Sequence, residues 1–577
     1  MIALLLLLGC AGKDSDSLPL DSNLLLDADG DGYHQADDCD DSDPDVHPEA
    51  IEYCDGIDNN CDGVTDGADA ADAQTQYTDA DGDGYGDDAK VTTSCSEVGV
   101  TSVGDCDDSD AGVHPGATEI CDDGVDQNCD GCTSECPTAF TPPEWADATA
   151  SNTGEDLGTG HYLSGIGDIT GDTTTDFCVG SPWDNGAGDL SGKIYLVAGP
   201  PDGRAQLEDS YASITGAEDS QLGPCSLMVD WDGDELNEVL AGAPTYMVRG
   251  AVYLFLSPVT TGERSTGDAD GTIVTPNLGE LLGSRVGSGS TLLGEDTTSP
   301  VVMGAPGALD GGQVYIFASL PEGTVPITDV DYQLWGPAEH TSGADFVADV
   351  DVNGDGFDDI VVSGQPWDSA AGSYAGQAFV VYGPIAASLS LADSDLVVAG
   401  AKLGVGFGKS VAGTDDLDGD GQVDLVIGEE GGAAGGDNIG SVYVFHTTGD
   451  SSIAADDATA ILRGSDDVPF TWIGQATVDM NGDDYLDLLV GSLLTDIGDQ
   501  PDAGRVLAYA GPLNGTYTPD CASATLDGTE ADGNSGIVAN LGDLTGDGLD
   551  DLGIGVPGAH ITADTAGGVY LFAGGSW

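Results

Sequence analysis

The sequence has very few basic residues. Its 577 residues include 11 lysines and arginines against 104 aspartates and glutamates, so the formal net charge is −93. Nucleic-acid binding needs a basic face that releases counterions from phosphate, and so few cations exclude it. Electrostatic attachment to anionic lipid headgroups is excluded for the same reason. The acidic side chains must therefore either tolerate strong self-repulsion or bind cations.

Long apolar runs are also lacking. No stretch approaches the 18 residues of a membrane-spanning helix, and residues 2–8 have only the size of a signal-peptide core. Leu-Leu-Gly-Cys at 7–10 resembles the lipobox of bacterial lipoproteins, which implies a signal peptide at 1–9, a lipidated Cys10 and a tether at 10–26. Ala11 after the cysteine resembles an outer-membrane sorting signal. We therefore expect an exported, lipid-anchored protein at the bacterial outer membrane or cell surface; an ordinary signal peptide with an incidental cysteine is the alternative.

Apolar residues and cysteines are present in amounts that favour a folded, exported chain. Hydrophobic residues make up 40% of the sequence, with 18 tyrosines and 7 tryptophans, so charge-driven disorder is not expected. Nine of the 13 cysteines lie between positions 39 and 136, which predicts a disulfide framework of unspecified pairing. Zinc binding by Cys129, Cys132 and Cys136 is an alternative for three of them.

Residues 27–137 contain an acidic repeat in two copies. The copies open with Asp-Ala-Asp-Gly-Asp-Gly-Tyr at 27–33 and 79–85, and both continue into Asp-Cys-Asp-Asp-Ser-Asp at 38–43 and 105–110. Alternating carboxylates followed by a glycine turn can converge on a calcium ion, as in the first half of an EF-hand loop. Loop position 12 holds Asp38 in the first copy and Lys90 in the second. The candidate ligands are Asp27, Asp29, Asp31, Asp38, Asp79, Asp81 and Asp83.

The full pattern of these copies, including the later Val-His-Pro and Cys-Asp-Gly segments, resembles the MopE-type metal-binding motif of bacterial surface proteins. This resemblance implies copper. Copper(II) prefers imidazole nitrogens to an all-oxygen site, and the region offers only His34, His47 and His114. We therefore expect calcium here, with copper binding or a solvated acidic linker as the alternatives.

The rest of the chain, 138–577, repeats about every 62–65 residues. A nine-residue loop with carboxylates at positions one, five and nine recurs six times, each time before an apolar run. One doubled interval contains a copy near 292–300 that has lost its carboxylates. The candidate ligands are Asp168, Thr170, Asp172 and Asp176; Asp230, Asp232, Asp234 and Glu238; Asp351, Asn353, Asp355 and Asp359; Asp416, Asp418, Asp420 and Asp424; Asp479, Asn481, Asp483 and Asp487; and Asp543, Thr545, Asp547 and Asp551.

A second marker, a strand of the type Gly-x-Val-Tyr, occurs in phase with the loops seven times. Seven four-stranded units fit a ring-shaped β-propeller. The repeats, with Phe407-Gly408 in the fifth, resemble the FG-GAP repeats of integrin α-subunits, which implies seven blades. The expected fold is all-β: a seven-bladed propeller after a small, loop-rich region stabilised by disulfides and metal.

The phase of the repeat also predicts how the ring closes. The last marker strand, at 567–572, is followed by only five residues, whereas the other markers precede a further strand. Residues 146–154, just before the first repeat, have the matching phase. We predict that they form the outer strand of the last blade.

The cation loops define the expected chemistry. In the fifth repeat, four carboxylates lie within nine residues, and a backbone carbonyl from Gln422 or Val423 would complete a calcium shell. We expect six calcium ions in the propeller, each fixing a turn between strands. Acidic turns without metal are the alternative.

The sequence carries no recognisable catalytic signature. We expect a non-enzymatic, surface-anchored, calcium-binding protein for recognition, adhesion or scaffolding, with an extracellular protein or glycan as partner, no nucleic acid, and contact with the membrane through the lipid only. A copper-sequestering surface protein is the first alternative. An extracellular hydrolase or lyase on a propeller scaffold is the second.

Overall fold

The computed structural model of the chain divides into two compact units, Met1–Glu119 with Asp126–Asp130, and Ile120–Val125 with Gly131–Trp577. The predicted signal peptide and tether at 1–26 lie outside the described residues. Among the residues that are described, no helix is long and apolar enough to cross a membrane. The described residues are 27–96, 99–117, 125–129, 148–151, 158–199, 204–227, 236–245, 249–294, 299–308, 311–319, 323–337, 340–366, 375–401, 406–414, 416–431, 439–447, 451–470, 473–480, 482, 485–558 and 567–574.

The first unit contains little regular structure. Strands β1 (Gln74–Thr78) and β2 (Asp87–Ser94) form an antiparallel hairpin, and the second acidic loop is its turn. Few apolar side chains are buried; Val46 and Val113, which occupy the same place in the two copies, are among them. A unit with so small a core needs cross-links or bound ions for its stability.

Disulfides supply these cross-links. Cys39–Cys61 and Cys106–Cys129 are equivalent bridges within the two copies, and Cys54–Cys95 joins the first copy to the hairpin of the second. The disulfide framework predicted from the cysteine count is therefore present. The zinc alternative is wrong for Cys129, because its sulfur is bonded to Cys106.

The second unit is a propeller of seven sheets, as predicted from the repeat. Apolar, β-branched runs form the second and third strands of each blade, and these strands are almost completely buried. Blade 1 contains β4 (Tyr162–Gly167), β5 (Asp176–Ser181), β6 (Lys193–Val197) and β8 (Ala212–Thr215). Blade 2 contains β9 (Cys225–Leu227), β10 (Val239–Ala243), β11 (Ala251–Phe255) and β13 (Gly271–Val274). Blade 3 contains β14 (Val286–Gly287), β15 (Val301–Ala305), β16 (Gln313–Phe317) and β18 (Tyr332–Trp335).

The remaining blades have the same antiparallel order. Blade 4 contains β19 (His340–Val350), β20 (Asp359–Pro366), β21 (Gln377–Val381) and β23 (Leu396–Ala399). Blade 5 contains β24 (Gly406–Thr414), β25 (Asp424–Glu430), β26 (Ser441–His446) and β28 (Ala460–Arg463). Blade 6 contains β29 (Ile473–Val478), β30 (Asp487–Ser492), β31 (Arg505–Tyr509) and β33 (Ala524–Asp527). Blade 7 contains β34 (Ile537–Asn540), β35 (Leu552–Gly555), β36 (Gly568–Phe572) and β3 (Ala148–Ser151).

The assignment of β3 to blade 7 confirms the predicted closure of the ring. Residues 148–151 pair antiparallel with β36, so a strand from the beginning of the propeller completes its last blade. The apolar side chains of Phe177 and Tyr195 in blade 1 share a buried cluster with Val569 and Leu571 in blade 7. Hydrogen bonds and core packing therefore join the first and last blades.

Short parallel strands connect neighbouring blades. Each lies between the third and fourth strands of one blade and pairs with the outer strand of the blade before it. A 3₁₀ turn follows each of them. The connecting strands are β7 (Arg204–Gln206), β12 (Gly262–Ser265), β17 (Gly323–Pro326), β22 (Leu389–Ser390), β27 (Ser452–Ala454) and β32 (Gly515–Tyr517). The turns are Leu207–Asp209, Thr266–Asp268, Ile327–Asp329, Leu391–Asp393, Ala455–Asp457 and Pro519–Cys521.

The hydrophobic core lies between the blades. Each of the seven clusters of buried side chains contains residues from two neighbouring blades. The Cys178–Cys225 disulfide adds a covalent link between β5 of blade 1 and β9 of blade 2. This packing leaves the turns at the two ends of the strands exposed, and the acidic loops lie at one of these ends.

Candidate metal centres

The first acidic loop folds around Asp27. Its carboxylate accepts hydrogen bonds from the N–H groups of Gly30 (2.6 Å) and Gly32 (3.2 Å). Both glycines have positive φ angles, which let the chain turn back on itself. Carboxylate oxygens of Asp27, Asp29 and Asp31 consequently lie within 4.8 Å of one another. The loop at 79–85 repeats this geometry, with Asp79 receiving the N–H groups of Gly82 and Gly84.

Each loop contains carboxylate oxygens that are buried and have no hydrogen-bond partner. They belong to the third and fifth residues of the loop and to one aspartate from the following Asp-Cys-Asp segment. The atoms are Oδ2 of Asp29, Asp31 and Asp38 in the first copy, and Oδ2 of Asp81, Asp83 and Asp105 in the second. Burying an oxygen without a partner costs free energy unless a cation compensates for it. These residues therefore fit a site for a hard cation with oxygen ligands.

Asp105 is the residue that loop reasoning missed. It corresponds to Asp38 in the repeat and is buried beside Asp81 and Asp83. Lys90, at loop position 12, instead forms ion pairs of 2.9 Å with both Asp87 and Asp108. The matching Asp-Cys-Asp-Asp segments of the two copies contained the signal that identifies Asp105.

In both acidic loops, desolvation and neighbouring negative charges raise the pKa of one aspartate. Loss of hydration raises the pKa of Asp29, and the charges of Asp31 and Asp38 add to the effect. Desolvation likewise raises the pKa of Asp105, with contributions from Asp83 and Asp81. A bound dication would reverse this and stabilise the ionised carboxylates.

The clusters of carboxylates in the two acidic loops include no histidine among the described residues. His47 stacks on Tyr33 with ring centroids 5.0 Å apart, and His114 stacks on Tyr85 at 5.2 Å. The Nδ1 atom of His47 lies 2.9 Å from the carbonyl oxygen of Pro48. The described clusters in the two acidic loops are composed of oxygen ligands, which suit calcium better than copper(II).

The propeller loops lie between the first and second strands of their blades. In each well-described loop, the first aspartate accepts hydrogen bonds from loop amides, as Asp416 does from Gly419 (2.7 Å), Asp420 (2.9 Å) and Gly421 (2.7 Å). Asp351 and Asp543 bind their loops in the same way. The first residue therefore shapes the turn before any ion is bound.

The ninth residue is a buried carboxylate at the start of the second strand. Asp176, Asp359, Asp487 and Asp551 each accept at least one hydrogen bond from their own loop and one from a glycine after the third strand. The glycine donors are Gly199 (3.0 Å), Gly383 (2.7 Å), Gly511 (3.1 Å) and Gly574 (2.8 Å). Burial raises the pKa of Asp176 to about 6 and that of Asp359 to about 7.

Blade 5 has the densest cluster of ligand atoms among the described residues. Oxygens of Asp416, Asp418 and Asp420 lie within 4.8 Å of one another, and so do atoms of Asp418, Asp424 and His446. Burial raises the pKa of Asp424 to about 7 and also raises that of Asp418. His446 is the second functional residue that the sequence reasoning missed.

The other predicted ligands fall into two groups. In blades 1, 4 and 7 the loops are ordered, but Thr170, Asn353 and Thr545 replace one carboxylate, and the described side chains form no cluster of three. Five candidates, Asp230, Asp232, Asp234, Asn481 and Asp483, lie outside the described residues. Glu238, the ninth residue of the blade 2 loop, is fully buried and directly precedes β10. Asp172 and Asp547, the fifth residues of their loops, accept hydrogen bonds from the backbone N–H groups of Thr174 and Leu549.

The loop of blade 1 carries a residue that is poorly suited to its backbone. Thr173 has φ = 74°, whereas glycine occupies this position in blades 4, 5 and 7, with Gly356, Gly421 and Gly548 at 89°, 86° and 94°. A β-branched residue pays about 1–2 kcal/mol in this left-handed region. Thr173→Gly should therefore raise the free energy of unfolding by about 0.5–1 kcal/mol. This net gain is smaller than the strain relieved, because glycine also increases the conformational entropy of the unfolded chain.

Urea denaturation in calcium would measure this gain, with Thr174→Gly as the neighbouring control. The control should lose stability, because Thr174 has ordinary φ and its hydroxyl bonds both Asp172 and the carbonyl of Gly199. A lower midpoint for Thr173→Gly than for the native chain would contradict the assignment of strain.

Comparison with known proteins matches both parts of the chain. Residues 38–67 and 105–135 match the family described as "Putative metal-binding motif", of the copper-binding MopE type, and residues 407–445 match the FG-GAP repeat. Both resemblances drawn from the sequence are thereby confirmed.

Individual relatives match about a third of the chain. The chain is 30% identical to integrin α-3 of Cricetulus griseus over 33% of its own length and 18% of the integrin, and 30% identical to integrin α-M of Mus musculus over 34% and 17%. It is 29% identical to the phosphatidylinositol-glycan-specific phospholipase D of Rattus norvegicus over 35% and 25%. The aligned region thus spans about a fifth of these relatives.

Proposed function

We propose that this protein is a surface-anchored, calcium-binding lipoprotein for recognition or adhesion, which binds an extracellular protein or glycan through its propeller. The observation that carries the proposal is the repetition of the acidic loop at the same turn of successive blades in a closed ring. Bound calcium would stiffen that end of the ring. A rigid scaffold with exposed turns at its other end is well suited to recognition.

The recognition surface would be formed by the turns between the second and third strands, at the end of the blades opposite the acidic loops. In blade 1 this turn carries Trp183, whose side chain remains 39% exposed although it lies against His161, with ring centroids 5.3 Å apart. Exposed aromatic side chains of this kind are enriched in binding hot spots. Trp183 is therefore the first position to change when a partner is sought.

A binding array of extracellular proteins and glycans, probed with the full chain in calcium and in EGTA, tests the proposal. A partner that binds in calcium, binds weakly in EGTA, and binds less well to Trp183→Ala would support it. A chain that is folded in calcium and binds nothing on either array would overturn the adhesion role.

Calcium itself is a proposal for both units and is tested separately by metal analysis. We expect calcium at the two acidic loops of the first unit and at up to six propeller loops. Tight copper binding at sub-stoichiometric calcium would favour the sequestration alternative, to which the copper-binding family name corresponds.

Attachment to the outer membrane through Cys10 is also a proposal. Growth with an alkyne-labelled fatty acid should label the native chain and not Cys10→Ser. Recovery of the unlabelled variant from the soluble fraction would support the anchor, whereas equal membrane association of both proteins would refute it.

A phosphodiesterase activity is the second candidate, because two relatives are phospholipases, from Rattus norvegicus at 29% identity and from Bos taurus at 26%. The match covers 25–32% of these enzymes. An assay of the full chain on phosphatidylinositol-glycan substrates decides this point, since hydrolysis would exclude a purely adhesive role.

A further inference from the structure

The cation loop of blade 5 differs from the others in one residue of the third strand. His446 is the last residue of β26 and pairs directly with Asp424, the ninth residue of the loop, across the antiparallel ladder. Side chains of directly opposed residues lie on the same face of a sheet. The corresponding residues of the other blades cannot ligate a metal through nitrogen; they are Ala198, Leu256, Ala318, Tyr382, Ala510 and Ala573.

A second difference follows immediately in the chain. Four blades place a glycine after this position, and its N–H donates to Oδ1 of the ninth aspartate. Blade 5 has Thr447 there, whose hydroxyl donates to the carbonyl of Val352. Asp424 is 0% exposed, and its Oδ1 atom is left without a hydrogen-bond partner. This oxygen is therefore available to a ligand that blades 1, 4, 6 and 7 cannot bind in the same way.

The imidazole of His446 lies in the same cluster as Asp424. Nδ1 of His446 is buried, makes no hydrogen bond of good geometry, and lies 2.5 Å from Oδ2 of Asp420. Atoms of His446, Asp418 and Asp424 lie within 4.8 Å of one another. Oδ1 of Asp424 is buried without a partner and faces a cluster of acids that includes an imidazole nitrogen, and a cation bound at this point would compensate for its burial.

We propose that blade 5 holds a mixed nitrogen–oxygen site for a divalent transition-metal ion, for which zinc is the test case. Its ligands are His446, Asp418, Asp420 and Asp424, so this ion would occupy the loop of blade 5 in place of the calcium ion otherwise expected there. Imidazole nitrogen favours first-row transition metals, whereas calcium prefers oxygen ligands alone. The inference rests on the proposed cation-binding role of the loops, but it requires no binding partner.

The test titrates the full chain with zinc in 1 mM calcium, and it compares the native protein with His446→Ala, the residue found in blades 1, 3, 6 and 7. The variant lacks the imidazole ligand. We therefore expect it to bind one zinc ion fewer than the native chain, or to bind that ion about 100-fold more weakly. His114→Ala is the control, and it should keep the extra zinc ion. Anomalous diffraction at the zinc edge should show the ion between His446 and Asp424.

Equal zinc affinity and stoichiometry in the native chain and His446→Ala would overturn the site, as would an anomalous peak elsewhere only. If His446→Ala fails to fold in calcium, His446→Asn preserves side-chain polarity and provides the same comparison. Calcium stoichiometry is measured in the same samples. Loss of all calcium binding would count against the cation loops in general, whereas unchanged calcium with unchanged zinc counts against this site alone.

Discussion

Removal of calcium with EGTA should lower the free energy of unfolding of this protein by several kcal/mol. An ion that binds only the folded state contributes about 2.7 kcal/mol for each site when its free concentration is a hundred times the dissociation constant. Several sites act together here, because the acidic loops join the first and second strands of successive blades. Without cations, clustered carboxylates such as the half-buried Asp418 and the buried Asp424 repel one another or must bind protons.

Chemical denaturation followed by tryptophan fluorescence would measure this loss, in calcium and in EGTA at the same ionic strength. Potassium chloride provides the control. Salt screens exposed charges over about 10 Å at 0.1 M and acts weakly on buried ones. Recovery of stability by calcium, and not by potassium, would support specific sites. Identical midpoints in calcium and EGTA would mean that the loops are acidic turns without metal.

The position of the first damage is also predicted. Hydrogen exchange in EGTA should accelerate at the turns beginning at Asp27, Asp79 and Asp416, where the structure brings three carboxylates together. Loops with threonine or asparagine at the third position, such as that of Asp351, should respond less. The disulfides Cys39–Cys61 and Cys106–Cys129 should keep the first unit from unfolding completely.

The architecture of the propeller was predictable from the sequence because each blade repeats one pattern. The strand markers fixed the number of blades, and their phase identified residues 148–151 as the closing strand. Buried second and third strands read as continuous apolar runs, which is the strongest strand signal available from a single sequence. Packing between blades then follows from the fold, since each sheet buries both faces against its neighbours.

Features that depend on contacts between distant residues were not predictable. The connecting strands β7 to β32 are two to four residues long and pair with the preceding blade, so no local periodicity identifies them. Disulfide pairing had the same difficulty, because cysteine spacing is compatible with many partners. The role of His446 depends on cross-strand register, which places it opposite Asp424.

The proposed fourth ligand of the second acidic loop illustrates this limit. Sequence counting along one loop reaches Lys90, but strand β2 intervenes between the loop and the segment that returns to it. The chain leaves the loop at Tyr85 and forms β2, the second strand of the hairpin. It then returns to the acidic loop at Asp105, which lies beside Asp81 and Asp83. In the first copy only four residues separate Tyr33 from Asp38, so counting along the loop reaches the aspartate of the Asp-Cys-Asp segment directly.

Asp105→Ala should therefore remove one calcium ion from the full chain, with a loss of affinity of about 100-fold at that site, because calcium affinity falls steeply with the number of charged ligands. Lys90→Ala should leave the number of bound ions unchanged. It removes two ion pairs with an exposed lysine, and such pairs contribute about 0–1 kcal/mol.

Asp38→Ala is the matched variant, since it removes the equivalent ligand from the first copy. Equilibrium dialysis and elemental analysis at controlled free calcium would count the ions in all three variants. Asp38→Ala and Asp105→Ala should each lose one ion, and the double variant should lose two. Loss of an ion in Lys90→Ala together with full occupancy in Asp105→Ala would show that the second loop closes locally, as simple counting along the chain implies. Because Lys90 lies in β2 whereas Asp105 follows the hairpin, the result decides whether this metal site belongs to one loop or to the fold of the entire copy.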